Sequence, residues 1–251
     1  MTEFSANLGF LWNDIALPDA IRAAKDAGFD AVECHCPYDT PVEEVINALN
    51  ATGLRMLGIN TLSGEGGGFA ALTGGEADMR NAIDQAIDYG RQLDVKHVHV
   101  LSGPAHGPEA HRCYVENLRY AAARAQQYKI NIVIEPLNPK DAPRNFMNST
   151  SQAAEIIAEL GLPNLKLMFD CYHVQLIEGN LTNRLTGLLP IIGHIQFASV
   201  PDRGPPDTGE INYQHIFQHL AKLGWSSPLG AEYRPNGSTG SSLDWLTKFG
   251  A

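Results

Sequence analysis

Four polar side chains stand where apolar runs end. Asn131-Ile132-Val133-Ile134 leads into Glu135, and Leu165-Lys166-Leu167-Met168-Phe169 leads into Asp170. Gln196 lies between Ile195 and Phe197, and Leu229-Gly230-Ala231 leads into Glu232. Alternation along a strand sends Ile134, Phe169, Ile195, Phe197 and Ala231 to one face, and Glu135, Asp170, Gln196 and Glu232 to the other. Three carboxylates and an amide converging on one point would repel one another or take up protons unless a cation stood among them. An all-oxygen set favours a hard divalent ion, Mg²⁺ or Mn²⁺, over Zn²⁺. Alone, each of these residues would read as a salt-bridged or solvated strand end. On four successive strands they make a shared metal centre the expectation.

Further side chains are placed to serve that centre. His97 and His99 share one face of their strand; His99 lies nearer the end, where it can line the site and touch substrate, and His97 takes a hydrogen-bonded place deeper in the core. His173, three residues beyond Asp170, can donate to a substrate oxygen. Arg203, in the long loop after the strand of Gln196, can grip a substrate carboxylate with two hydrogen bonds. Asn60 and Glu33 end two earlier strands, where they can orient neighbouring groups, Asn60 also within reach of substrate. Trp12 offers an apolar wall. Cys34-His35-Cys36 does not read as a zinc centre, because alternation sets His35 opposite both thiols.

The elements that must carry these residues alternate to the end of the chain. Eight strand-like runs, Phe4 to Leu11, Ala31 to Cys36, Arg55 to Thr61, His97 to Ser102, Asn131 to Leu137, Leu165 to Phe169, His194 to Ser199 and Leu229 to Tyr233, are separated by segments with helical spacing. The helical segments run from Leu17 to Ala27, Val42 to Leu49, Met79 to Leu93, His111 to Tyr128, Ala153 to Leu160, Tyr213 to Leu223 and Leu243 to Phe249. Thr40-Pro41-Val42-Glu43 reads as a capping box, and Gly28, Gly53, Gly161 and Gly224 close helices. Such alternation predicts an α/β fold, a (β/α)8 TIM barrel of eight parallel strands ringed by helices, with residues 1–251 as one domain. A doubly wound open sheet would call for a glycine fingerprint after the first strand, where Phe10-Leu11-Trp12-Asn13-Asp14 stands instead. The glycine-rich stretch Gly64-Glu65-Gly66-Gly67-Gly68, with Gly74-Gly75, lacks the ending of a phosphate loop and reads as a loop over the barrel mouth.

Composition excludes several partners. With 18 basic and 28 acidic residues the net charge is −10, which opposes phosphate backbones and anionic membrane surfaces. No apolar run approaches a membrane span, and Met1-Thr2-Glu3-Phe4-Ser5 lacks the basic start of a signal peptide, so a cytoplasmic location is expected. The four cysteines (Cys34, Cys36, Cys113 and Cys171) are too scattered for a disulfide framework and are read as reduced thiols. A homo-oligomer is compatible with this composition.

Taken in order, Glu135-Pro136-Leu137-Asn138, Asp170-Cys171-Tyr172-His173, His194-Ile195-Gln196, Pro201-Asp202-Arg203, Thr208-Gly209-Glu210-Ile211-Asn212-Tyr213 and Glu232-Tyr233-Arg234-Pro235 resemble the hydroxypyruvate isomerase family, with its 2-oxo-tetronate isomerase branch, among the xylose isomerase-like TIM barrels. The likeness extends from Gly28-Phe29-Asp30-Ala31-Val32-Glu33 to the last strand. It implies a metal-dependent isomerase of a small hydroxy keto acid, moving a proton between adjacent carbons through an enediolate. Glu135, Asp170, Gln196 and Glu232 match the family's metal positions, Glu135 and Glu232 its acid/base pair, and His173 and Arg203 positions that hold substrate. Two departures bear on which substrate fits: Gly204-Pro205-Pro206 stands where His-Glu-Pro is usual, and Arg234 where a lysine is common. The competing readings are a ketose 3-epimerase or sugar isomerase on the same scaffold, and a non-catalytic barrel that only binds. A nuclease for abasic DNA would want more histidine ligands and a basic groove.

Overall fold

The computed structural model describes residues 2–64 and 67–250, so Met1, Ala251, and Glu65 and Gly66 of the glycine-rich loop, lie outside the described residues. Strands β1 (Phe4–Asn7), β2 (Ala31–Glu33), β3 (Arg55–Met56), β4 (Gly58–Asn60), β5 (His97–His99), β6 (Asn131–Ile134), β7 (Leu165–Asp170), β8 (Ile192–Phe197) and β9 (Leu229–Ala231) form one sheet. Every pairing in it is parallel, in the order β3-β2-β1-β9-β8-β7-β6-β5-β4. The expected third strand breaks at Leu57: its first half pairs with β2 and its second with β5. The two ends of the sheet are thus consecutive pieces of chain. Cys34 N–H donates to the Gly58 carbonyl at 3.2 Å and Asn60 N–H to that of His35 at 2.7 Å, which draws the edges together. Eight strand positions close into a TIM barrel, as expected.

Helices α1 (Leu17–Ala27), α2 (Val42–Thr52), α3 (Glu76–Gln92), α4 (Gly107–Gln126), α5 (Thr150–Leu160), α6 (Cys171–Ile177), α7 (Leu181–Leu188), α8 (Tyr213–Lys222) and α9 (Asp244–Gly250) surround it. Helix α1 buries Ala20, Ile21 and Ala24, the one-sided spacing that packs a helix against a sheet, and Gly28 ends it in the left-handed region at φ 96°. Two local expectations need correction. The capping box at Thr40 does not form; Pro41 itself is the N-cap of α2, and the Thr40 carbonyl accepts the Tyr89 hydroxyl at 2.9 Å. The first strand stops at Asn7 rather than Leu11, and the chain turns from there.

Strand alternation divides the barrel into two regions. Phe4 and Phe197 face outward into an aromatic cluster with Phe217 and Trp245, ring centroids 5.1–5.8 Å apart. Ile134, Phe169, Ile195 and Ala231 are buried with them in the apolar layer beneath the helices. The interior is polar instead: Ser5, Asn7, Glu33, His97, His99, His194 and Gln196 are all buried. A core this polar needs internal partners, and these partners build the site.

Candidate active site

At the carboxyl ends of β6 to β9 the barrel brings together Glu135, Asp170, Gln196 and Glu232, all buried. Asp170 is both the last residue of β7 and the N-cap of α6. Its Oδ1 accepts the Tyr172 N–H at 2.8 Å, which turns Oδ2 inward. Glu135 Oε2 lies 3.6 Å from His99 Nδ1, and Gln196 Nε2 donates to Glu33 Oε1 at 2.9 Å. Three oxygens are left over. Glu135 Oε1, Asp170 Oδ2 and Gln196 Oε1 are buried with no hydrogen-bond partner among the described residues.

Glu232 is engaged differently. Its Oε1 meets Asn7 Nδ2 and His35 Nε2, both at 2.9 Å, and its Oε2 accepts Arg203 Nη2 at 2.6 Å. Arg203 takes a left-handed backbone conformation, φ 55°, strained for a residue with a Cβ, and its carbonyl accepts the Arg234 N–H at 2.7 Å. Its guanidinium lies between the rings of Phe10 and Tyr172, 4.8 and 5.0 Å from their centroids, and also faces Asp141 and Asp170 at 3.4 and 3.6 Å. Only Nε remains without a partner among the described residues. The two-bond grip on a substrate carboxylate therefore meets competition from the protein's own acids.

These surroundings push the carboxyls apart. Burial, followed by the charges of Glu232 and Asp170, raises Glu135 well above the usual carboxylate range. Burial also raises Asp170, to about 7, against the opposing pull of Arg203. For Glu232 burial acts in the same direction, yet Arg203 and His35 outweigh it and hold the group well below its ordinary value. Arg203 is itself buried at a cost to its charge, which the carboxylates of Glu232, Asp170, Glu135 and Asp141 more than offset. A carboxyl whose folded value is raised stabilises the fold below its unfolded value, and that contribution disappears as pH rises through the folded value. Glu232 has the opposite sign, and its contribution is lost only in strong acid. Without a divalent ion, the thermal midpoint should therefore fall from about pH 5 to pH 8, through Glu135 and Asp170 together, both raised by burial. A midpoint that is flat or rising over that interval, measured with chelator present, would contradict this charge arrangement.

The histidines divide by role. His173 Nδ1 accepts the Asn138 N–H at 2.9 Å, so in the neutral ring the proton is assigned to Nε2, which points at Asp170 Oδ2 (3.7 Å) and Glu135 Oε1 (4.0 Å). Burial holds the His173 ring near 3, so it stays neutral. Although Glu135, Asp170 and His173 are close enough to share an ion, a ring nitrogen carrying its proton is a donor and not a ligand. His99, which burial lowers to about 4, lies below Glu135. His97 does not hydrogen-bond as expected: its Nε2 has no partner among the described residues, and its ring lies against that of His194, centroids 4.4 Å apart. A second group of potential ligands, Glu33, His97 and His194, lies deeper, and there Glu33 Oε2 and His194 Nε2 already engage each other at 2.5 Å.

Asn60 ends β4 half-buried, and its hydrogen bonds among the described residues run through its backbone, to His35 and to the Tyr38 hydroxyl. Trp12 packs its ring on Phe29, away from the site; Phe10, against His35 at 5.1 Å, supplies the aromatic wall. Asn7 and His35 are the contacts that sequence reasoning misses. A Cβ at Gly9 would come within 2.2 Å of His35 Nδ1, a contact that no local pattern in the sequence announces.

Three comparisons with known proteins are informative. Residues 21–249 match the family model described as xylose isomerase-like TIM barrel. A 2-oxo-tetronate isomerase of Cupriavidus necator is 39% identical across 99% of both chains. The hydroxypyruvate isomerase of Escherichia coli is 36% identical across 99% of this chain and all of its own. Among solved structures, an AP endonuclease, family 2, from Brucella melitensis superposes with a TM-score of 0.95 at 33% identity, over 99% of each chain.

Proposed function

Because the chain belongs to the xylose isomerase-like TIM barrel family, we propose that it is a metal-dependent isomerase of a small 2-oxo-3-hydroxy acid, interconverting hydroxypyruvate and tartronate semialdehyde or acting on a 2-oxo-tetronate. The observation that carries this reading is the set of orphaned oxygens on Glu135, Asp170 and Gln196. A buried acceptor without a donor costs about 1–3 kcal/mol, more for a charged group, unless a cation is its partner. Glu135, Asp170, Gln196 and Glu232 would hold that cation. Bound there, Mg²⁺ or Mn²⁺ supplies Lewis-acid polarisation of the substrate carbonyl, worth several kcal/mol in the transition state. Full-length relatives named as isomerases support the reaction class.

The chain's own groups handle the proton. Glu232, held ionised by Arg203 and His35, and Glu135, whose buried carboxyl retains a proton readily, give one group to accept a proton and one to return it. His173 presents its Nε2–H where a substrate oxygen gains negative charge as the enediolate forms. Arg203 contributes positive charge beside it and an Nε–H for an acidic substrate. A net charge of −10 opposes a nucleic acid substrate, and among the described residues no helix is long and apolar enough to cross a membrane.

Incubating metal-loaded protein in deuterated water with small keto acids and ketoses tests the reading. Deuterium should enter a 2-oxo-3-hydroxy acid at the carbon beside the carbonyl, and chelator should abolish the exchange. Exchange confined to neutral ketoses would favour a 3-epimerase or sugar isomerase instead. No exchange with any of them would leave a barrel that only binds.

A further inference from the structure

We infer that Glu33 is a positioning residue that turns the amide of Gln196 so that its oxygen, and not its NH₂ group, faces the cation; this rests on the metal reading above. The terminal torsion of a glutamine is soft and its two ends are chemically opposite, so either can face the centre and only one can ligate. Gln196 pairs in register with Asp170, and Glu135 directly follows β6, the next strand beyond β7. In the metal-free site those carboxylates would draw the NH₂ group toward themselves. Glu33 competes from below, accepting Gln196 Nε2 at 2.9 Å and leaving Oε1 unpartnered.

Glu33 can do this because its own position is fixed. Its Oε2 meets His194 Nε2 at 2.5 Å, and its Oε1 also accepts Asn7 Nδ2 at 3.2 Å. A carboxylate only accepts, so every group turned toward it must be a donor. The Asn7 amide is set from its other end, Oδ1 accepting the Gly9 N–H at 2.9 Å, and its Nδ2 then spans Glu33 and Glu232. Room for the carboxylate comes from Gly230, where a Cβ would lie 2.5 Å from Glu33 Oε1 and 2.9 Å from Gln196 Cγ. One buried acid thus orients the Gln196 ligand directly and reaches Glu232 through Asn7.

Titrating Mn²⁺ into metal-free protein by calorimetry reads this without turnover. In Glu33→Gln a single acceptor oxygen faces three donors, Gln196 is free to turn, and Mn²⁺ affinity should fall about 10–100-fold. The swap Glu33→Gln with Gln196→Glu reverses the polarity of the contact: the new amide donates and the new carboxylate is acceptor-only toward the cation. A carboxylate at 196 raises cation affinity by its charge alone, so Gln196→Glu is titrated as well: the swap should bind at least about tenfold tighter than the two single effects combined predict, a coupling that neither added charge nor lost packing would show. Should Glu33→Gln fail to fold, a swap that binds Mn²⁺ at least as tightly as Gln196→Glu alone supports the inference, and one that binds more weakly than Gln196→Glu overturns it. Unchanged affinity in Glu33→Gln likewise overturns it and leaves the metal reading standing, whereas wild-type protein that takes up no Mn²⁺ removes both.

Discussion

Glu135→Gln and Glu232→Gln should each reduce isomerisation by about 10⁴-fold, the upper range for loss of a positioned acid or base, while both variants stay folded. The pair should part company in stability. Glu135 is a buried carboxyl facing the charges of Glu232 and Asp170, and one of its oxygens has no donor, so an amide there removes repulsion. Metal-free Glu135→Gln is expected to be as stable as the wild type or more so. Glu232 accepts from Asn7, His35 and Arg203, and an amide in its place turns a donor toward a donor. That change should cost about 1–3 kcal/mol in the metal-free protein. Turnover with a 2-oxo-3-hydroxy acid and thermal midpoints with chelator check both halves. Near wild-type turnover in either variant would remove the acid/base assignment; equal midpoints would remove the electrostatic account of the pair.

Much of this site is legible in the sequence, for a physical reason. Strand alternation is local, and apolar neighbours such as Ile134 and Ile195 mark the parity of Glu135 and Gln196. What alternation does not carry is lateral position, meaning which inward side chain of one strand meets which of another. His35 is placed inward by its parity, yet its bond to Glu232 spans 197 residues and depends on the stagger of β1, β2 and β9. The same holds for Glu33. Its position at a strand end is readable, but its three donors come from β1 and β8.

Element boundaries go astray where one residue serves two elements or where closure of the barrel, and not the local sequence, sets the break. Asp170 ends β7 and caps α6 with no loop between, and neither α6 nor the following α7 is among the segments that helical spacing marks. The run from Arg55 to Thr61 holds Gly58 beside the break, yet its division into β3 and β4 comes from closing the barrel, because the two halves pair with different neighbours. At the other extreme, Gly9 interrupts the first apolar run for a reason found only in three dimensions, the His35 ring lying against it.

Arg203→Met should be the most damaging single change to the metal-free protein. Methionine keeps an apolar stem between Phe10 and Tyr172 but withdraws the cation facing Glu232 at 2.6 Å, Asp141 at 3.4 Å and Asp170 at 3.6 Å. Removing one partner of a buried ion pair costs about 3–5 kcal/mol, because the remaining charges have no countercharge. Proton uptake offsets part of that cost. Without Arg203 the folded values of Asp170 and Glu232 rise, so stability is retained at low pH and lost as pH increases through them. The gap in thermal midpoint between wild type and variant should accordingly be small near pH 5 and widen toward pH 8. Mn²⁺ should narrow it again, since the ion supplies positive charge to the same oxygens. Arg203→Lys separates charge from shape: the ammonium restores much of the stability, but not the flat donor array stacked between two rings, so turnover should stay about 10²-fold down. A gap independent of pH and of Mn²⁺ would mean that Arg203 acts through packing alone, and the ionised state of Glu232 would need another source.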